Sequence, residues 1–181
     1  MILASGSPQR RAILEALGTE FEVRPSAADE LAEGEPFAVA RENALRKARA
    51  VAGAGETVLG VDTVVALDGA IHGKPHDAAH AAATLGVLAG RTHEVVSGFA
   101  VVGPDGTVTA GDDVTRVTFR PLTADEIAWY VACGEWEGRA GGYAIQGRGG
   151  ALVSRIEGDY LNVVGLPVAA LLDAGVLALG A

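Results

Sequence analysis

The chain has 181 residues, of which 49% are hydrophobic and 20% are charged, so it is long enough for one domain with a sizeable core. Its net charge of −9 argues against a general nucleic-acid coat, and its apolar runs are all shorter than a membrane span. The single cysteine, Cys133, excludes an internal disulfide and fits a reducing cytoplasm. We therefore expect one cytoplasmic domain over residues 1–181, with no nucleic-acid or membrane partner.

Residues 5–11, with the sequence SGSPQRR, are predicted to connect a first short strand directly to a helix. Ser7 has the place of the N-cap and Pro8 that of the first helical residue. A strand that runs straight into a capped helix leaves backbone N–H groups free, and these attract anions. Ser5 and Arg10 would add a hydroxyl and a positive charge beside them. An ordinary capped helix with a solvated arginine pair is the alternative interpretation.

The next three predicted elements are a short strand, an acidic loop and a helix. The strand covers residues 21–23, and the loop, residues 26–36, contains Glu30. The helix over residues 36–53 has one apolar face, and Lys47 lies at the border of that face. A lysine in this place can lay its stem on apolar surface and point its ammonium group into a neighbouring cleft.

Asp62 is predicted to stand at the end of a buried strand over residues 58–61. Proteins with α/β folds place catalytic and metal-binding carboxylates at such strand ends, whereas an aspartate that caps a turn is the alternative. Residues 64–67 continue the strand, and an Asp-Gly turn follows at 68–69.

Lysine occurs only at Lys47 and Lys74, whereas the chain has twelve arginines. Lys74 lies in a Gly-Lys-Pro unit shortly after the Asp-Gly turn. Because ammonium is a compact point charge and guanidinium is planar, two retained lysines can indicate a site that needs the smaller group. Chance survival of two surface lysines is the alternative.

The second half of the chain predicts helices around an antiparallel or mixed sheet. In chain order the elements are a helix over 77–90, strands over 94–102, 107–110 and 114–119, a helix begun by the capping box of Thr123 and Glu126, a strand over 152–156 and a closing helix over 166–177. Six of the thirteen residues from 138 to 150 are glycine, so this backbone must turn sharply or approach something closely. Gln146 in that stretch either binds a base edge or a phosphate, or satisfies loop backbone.

The order of these features resembles the Maf (septum-formation) family of nucleoside triphosphate pyrophosphatases. The matching stretches extend from residue 3 to about residue 168 and are LASGSPQRRAIL, ENALRKARAVA, GVDTVVALDG, HGKP, AGRTHEVVSG and AGGYAIQGRGGALVSRIEGDYLNVVGLP. The resemblance implies an elongated α/β fold shared with inosine-triphosphate pyrophosphatases, in which helices flank a central mixed sheet and a cleft separates two lobes. It also implies a homodimer that hydrolyses a nucleoside triphosphate to the monophosphate and pyrophosphate.

The resemblance further implies roles for individual residues. Asp62 falls on the family's proposed base or metal-binding acid, and Lys47 and Lys74 fall on its cleft lysines, so these three are the expected catalytic residues. A divalent cation, Mg²⁺ or Mn²⁺, is expected at Asp62, and on physical grounds we expect Glu30 to assist as a second carboxylate. The expected substrate-binding residues are Ser5, Ser7, Gln9, Arg10, Thr63 and Gln146, of which Thr63 and Gln146 fall on specificity positions.

The AIQG segment with the following RGGALV resembles the branch of the family that acts on dTTP and UTP, and not the branch linked to 7-methyl-GTP. One departure concerns specificity, because Gln9 stands where the family's usual SPRR sequence has its first arginine. A nucleotide-binding regulator of cell division without turnover is the alternative function. Asp62 and the two lysines favour the enzyme, because binding alone needs no acid that activates water.

Overall fold

The computed structural model describes residues 1–178, which form a seven-stranded mixed sheet with helices packed against it. Residues 179–181, the last of the expected domain, lie outside the described residues. The strands are β1 (Ile2–Leu3), β2 (Glu22–Val23), β3 (Val58–Leu67), β4 (Ala70–His72), β5 (Thr92–Val102), β6 (Val108–Phe119) and β7 (Val153–Glu157). The α-helices are α1 (Pro8–Ala16), α2 (Pro36–Val51), α3 (Ala78–Leu88), α4 (Ala124–Ala132), α5 (Tyr160–Val164) and α6 (Val168–Asp173). Short 3₁₀ helices cover Ala140–Gly142 and Arg148–Leu152.

The sheet has the strand order β2-β1-β3-β5-β6-β7, and β4 pairs with β3 beside this path. Strand β1 runs parallel to β2 and β3, whereas the pairs from β3 to β7 are antiparallel. This mixed sheet flanked by helices confirms the predicted α/β fold class. No helix within residues 1–178 is both long enough and apolar enough to cross a lipid bilayer.

Helix α2 lies unusually close to the central strands β3 and β5. A Cβ atom at Gly60 would collide with the carbonyl oxygen of Ala44, and one at Gly98 would collide with the backbone of Ala40. Because glycine has no side chain at these two positions, the helix backbone can approach the sheet directly. This approach places the polar residues of α2 against the middle of β3.

The opposite face of the sheet carries two hydrophobic clusters, at the two ends of β3. One contains Leu59 and Val61 with residues of α1 and α6, and the other contains Val65 and Leu67 with residues of α3 and α4. Because side chains alternate along a strand, Thr63 lies on this face between the two clusters.

Local signals in the sequence predict several elements correctly. Ser7 caps α1 with Pro8 in its first turn, and Asp77 caps α3. Thr123 and Glu126 form the predicted capping box of α4. In each case the deciding interaction spans only a few residues along the chain, so it is visible in the sequence.

Three predicted boundaries are wrong. Asp62 does not end a strand, because β3 continues through it and pairs with β5 from Val58 to Ala66. Likewise the two strands predicted over 107–119 are one strand, β6, in which Gly111 leaves room for the ring of Phe99. The closing helix predicted over 166–177 is shorter, since α6 covers only Val168–Asp173, and the short helix α5 that ends before Gly165 was not predicted.

Candidate active site

A cavity of about 470 Å³ opens at an interruption in one edge of the sheet. On this edge β1 pairs with Val58 and Leu59 of β3, and β4 pairs with its residues 65–67. Within the described part of the chain, residues 60–64 therefore have no strand partner on this edge, and we call them the edge gap. Asp62 and Thr63 from the edge gap line the cavity and present the two opposite faces of the sheet to it.

This one cavity contains every residue that the sequence assigned to the site. They are Ser5, Ser7, Gln9, Arg10, Glu30, Lys47, Asp62, Thr63, Lys74 and Gln146. They come from the β1–α1 turn, the first turn of α1, the loop before α2, helix α2, strand β3, the segment after β4 and the glycine-rich stretch. The structure thus brings the predicted residues together, whereas their individual roles stay predictions.

Asp62 is buried and bound by two residues of α2. The Nζ atom of Lys47 lies 2.6 Å from Asp62 Oδ1 and 2.8 Å from Glu30 Oε1, so one ammonium group bridges two carboxylates. Asn43 Nδ2 donates to Asp62 Oδ2 at 3.0 Å. Asn43 also accepts from the Leu31 N–H and donates to the Leu31 carbonyl, which fixes the loop that carries Glu30.

The surroundings of Asp62 keep its carboxyl group ionised. Burial raises the pKa of Asp62. This effect is outweighed by three neighbours that lower the pKa: Lys47 through its charge and hydrogen bond, Asn43 through its hydrogen bond, and Arg10 through its charge. The net result is a pKa below the usual range of an aspartate. Asp62 is therefore a charged acceptor at neutral pH, suited to a cation, a water molecule or both.

Arg10 connects the β1–α1 turn to the edge gap. Its Nε donates to the Gly165 carbonyl at 2.8 Å, and its terminal nitrogens donate to Ser5 Oγ at 2.9 Å and to Thr63 Oγ1 at 3.2 Å. Thr63 Oγ1 in turn shares a hydrogen bond with Ser97 Oγ at 2.8 Å. Because these partners of Arg10 are uncharged, its positive charge remains available to an anion in the cavity.

The solvated arginine pair of the alternative interpretation is thus wrong for Arg10 and right only for Arg11. Arg10 is 8% exposed, and burial lowers its pKa while Asp62 and Glu30 raise it. Arg11 instead points to solvent and pairs with Glu15 along the helix. Because adjacent residues of a helix point in different directions, Arg10 lines the cavity while Arg11 does not.

The two lysines differ in their exposure. The side chain of Lys47 is 10% exposed, so it is no chance surface residue. Lys74 is 58% exposed at the cavity and lies 3.9 Å from Glu30 Oε2. Glu30 is consequently near both lysines, with one oxygen facing each of them.

The glycine-rich stretch is a fixed wall of the cavity. Tyr143 and Ile145 are buried in it, and the Gly141 N–H donates to the Gly73 carbonyl at 3.1 Å. Gly141 has φ 67°, and a Cβ there would meet the Val65 side chain at 2.8 Å. Glycine is needed here both for the turn and for the close approach, and Gln146 extends from this wall as an exposed residue that lines the cavity.

Sequence reasoning missed two polar residues of this region. Asn43 donates a hydrogen bond to Asp62. It lies four residues before Lys47 and therefore on the same face of α2, a spacing from which it could have been identified in the sequence. Arg139, which lines the cavity, stands alone among glycines and gave no comparable pattern.

Asp62 and Glu30 fit a divalent cation in the kind of ligand that they offer. Both carboxylates already converge on one positively charged atom, the Nζ of Lys47. No group of three or more His, Cys, Asp or Glu side chains in residues 1–178 is arranged to hold a metal ion. Mg²⁺ is commonly held by one or two carboxylates with substrate phosphates and water completing the shell, so the two acids suffice only together with a phosphate ligand.

Comparison with known proteins gives a family and named relatives. The family model described as Maf-like protein matches residues 1–174. A dTTP/UTP pyrophosphatase of Moorella thermoacetica is 51% identical over 177 residues, covering 93% of this chain and 89% of the relative. One of Deinococcus radiodurans is 46% identical over 187 residues, covering 99% and 95%. Among solved structures, a HAM1 protein from Coxiella burnetii has 18% identity and a TM-score of 0.48, covering 83% of this chain and 89% of that one.

Proposed function

Because the chain belongs to the Maf family, we propose that it is a nucleoside triphosphate pyrophosphatase that converts dTTP and UTP to the monophosphate and pyrophosphate. The observation that carries this proposal is the buried, ionised Asp62 at the wall of a cavity that also holds Arg10 and two lysines. Relatives that are about half identical over most of the chain bear the name of this activity. They favour the enzyme over a regulator that only binds nucleotide.

The triphosphate finds local positive charge in a protein of net charge −9. A nucleoside triphosphate carries about four negative charges, which Arg10, Lys47 and Lys74 can face together. The N-terminus of α1, capped by Ser7, adds backbone N–H groups at the same cavity. Binding by such a cluster needs no favourable charge elsewhere on the molecule.

Asp62 and Glu30 would hold Mg²⁺ or Mn²⁺, which when bound polarises phosphate oxygens as a Lewis acid. Asp62 accepts a hydrogen bond from the attacking water and orients it in line with the α-phosphorus. The water oxygen forms a bond to that phosphorus, and the bond from the α-phosphorus to the bridging oxygen breaks. Lys47 and Lys74 stabilise the charge that develops on the leaving pyrophosphate, and the proton of the water passes to Asp62 or to solvent.

A panel of nucleotides tests the proposal. Purified protein with Mg²⁺ should release pyrophosphate and monophosphate from dTTP and UTP faster than from CTP or 7-methyl-GTP, with no release of inorganic phosphate. Binding of these nucleotides without any pyrophosphate would instead favour the regulator.

The proposal extends to the assembly and the compartment. The family resemblance implies a homodimer, and the single cysteine and the charge of −9 suit a cytoplasmic protein without nucleic-acid or membrane partners. Light scattering on the purified protein measures the first of these, and a mass equal to one chain would contradict it.

A further inference from the structure

The four cations that line the cavity differ in how many of their hydrogen-bond donors are already used. Lys47 is paired with Asp62 and Glu30, and Lys74 is within 3.9 Å of Glu30. Arg10 donates three hydrogen bonds to uncharged groups. For Arg139, in contrast, no hydrogen bond or ion pair joins the side chain to another residue in the described part of the chain, and its Nε is buried without a partner.

The backbone of Arg139 is held in place beside Lys74. The Arg139 N–H donates to the Trp136 carbonyl, and its own carbonyl accepts from the Gly142 N–H, both at 3.1 Å. The Gly141 N–H bonds to Gly73, the residue before Lys74, at 3.1 Å. Arg139 therefore lines the cavity from a backbone that needs no rearrangement before a ligand arrives.

A buried donor without an acceptor costs free energy that an incoming acceptor recovers. The one further carboxylate that lines the cavity is Glu137, which is exposed and makes no ion pair with Arg139 among residues 1–178. Since no side chain in that range accepts from Arg139, its donors are available to an acceptor of a bound ligand. A guanidinium presents its donors as a planar fork that matches two oxygens of a phosphate.

We propose that Arg139 is a further substrate-binding residue, which donates hydrogen bonds to oxygens of the triphosphate chain. The identity of the anion rests on the proposed function, whereas anion binding by Arg139 follows from the unused donors. Arg139 binds the phosphates from the glycine-rich wall, Lys74 binds them from the segment after β4, and Arg10 binds them from the first turn of α1. The glycine-rich stretch thus contributes positive charge as well as Gln146.

Calorimetry with inorganic tripolyphosphate tests the proposal without any turnover. Arg139→Gln should weaken binding by about ten- to a hundredfold, the usual worth of a charged hydrogen bond. Arg148→Gln is the matched control, because Arg148 lies in the same stretch but is exposed and outside the cavity. Arg139→Lys keeps the charge and should lose only part of the affinity. Equal affinity of Arg139→Gln and Arg148→Gln would overturn the proposal.

A second measurement uses the wild-type protein, in case Arg139→Gln does not fold. Phenylglyoxal should modify the guanidinium of Arg139, and tripolyphosphate should protect it, whereas Arg148 should be modified equally with and without the anion. Mass spectrometry of peptides reads both sites in one experiment, and absence of protection at Arg139 would contradict the proposal. If tripolyphosphate binds through Arg139 but no nucleotide is hydrolysed, the proposed function fails and this inference stands.

Discussion

Lys47 on α2 and Asp62 on β3 form a buried ion pair of 2.6 Å, fifteen residues apart in the sequence. The pair exists because glycines in β3 and β5 let the helix backbone approach the sheet. Breaking one partner of a buried pair leaves an uncompensated charge, which is costly. The pair therefore joins the position of Asp62, the proposed catalytic carboxylate, to the packing of α2.

Asp62→Asn tests the acid of the site. The change keeps the size of the side chain and removes the charge that orients water and binds a cation, so we expect kcat to fall at least a hundredfold. Asp125→Asn, an exposed position outside the cavity, is the control and should leave kcat unchanged. Near-normal pyrophosphate release by a folded Asp62→Asn protein would contradict the assignment.

Lys47→Arg and Lys74→Arg separate a buried point charge from an exposed one. The Lys47 ammonium lies between two carboxylates at 2.6 and 2.8 Å, where the larger planar guanidinium should displace them and reduce kcat/KM by about tenfold or more. At the more exposed Lys74 the same change should cost about two- to fivefold. Equal kinetics of both variants and the wild type would contradict a role of the two lysines in binding the triphosphate.

Gln9 and Arg10 should recognise different parts of the substrate. Gln9 receives a hydrogen bond from Ser7 at 3.1 Å and can bind a base or ribose but cannot neutralise phosphate, so Gln9→Arg should change the ranking of dTTP, UTP, CTP and 7-methyl-GTP. Arg10→Ala should weaken all four alike, and it should also destabilise the fold by about 1.5–3 kcal/mol because it removes three hydrogen bonds. Measuring kcat/KM of the wild type and both variants for the four nucleotides distinguishes the two roles. If Gln9→Arg changed kcat/KM equally for all four nucleotides, Gln9 would have no role in specificity.

Because His93 is buried, we expect the stability of the fold to depend on pH. It is 1% exposed, its Nε2 shares a hydrogen bond with the Tyr143 hydroxyl at 2.9 Å, and burial, followed by the nearby charge of His72, lowers the pKa of His93 to about 4. The unfolded chain, with the ordinary pKa of 6.5, binds a proton where the folded chain does not. The stabilisation is complete above pH 6.5 and is lost as the pH falls towards 4, by up to about 3 kcal/mol.

Urea unfolding of the wild type and of His93→Gln at several pH values measures this effect. The variant should be less stable at pH 7.5, because it loses contacts with Phe119 and Tyr143. The difference between the two proteins should narrow between pH 6.5 and 4, since glutamine does not titrate. A difference that stays constant with pH would show that His93 does not account for the acid sensitivity.

The sequence predicts those parts of the fold that depend on neighbouring residues, and it fails where strands pair over long distances. The caps at Ser7 and Thr123 are local and were predicted correctly. The edge gap was not, because it depends on where β1 stops pairing with β3 and where β4 begins. For that reason Asp62 was expected at the end of a strand, although it lies within one.

For the site, the family resemblance identified the residues, and physical patterns alone identified few of them. Each of Asp62, Lys47 and Gln146 had an ordinary structural explanation when considered singly. Their convergence on one cavity needs the three-dimensional packing of α2, β3 and the glycine-rich stretch. Arg139 was missed because an unused donor can be recognised only when its surroundings are known.

The edge gap also bears on how the protein avoids aggregation. An open strand edge is a template on which a strand of another chain can add by backbone hydrogen bonds. Here residues 60–64 span only about 16 Å, at about 3.3 Å per residue, and β1 and β4 occupy the edge on both sides. A foreign strand of ordinary length cannot fit between them, whereas a small molecule can, so the same interruption that admits a ligand keeps other polypeptides away.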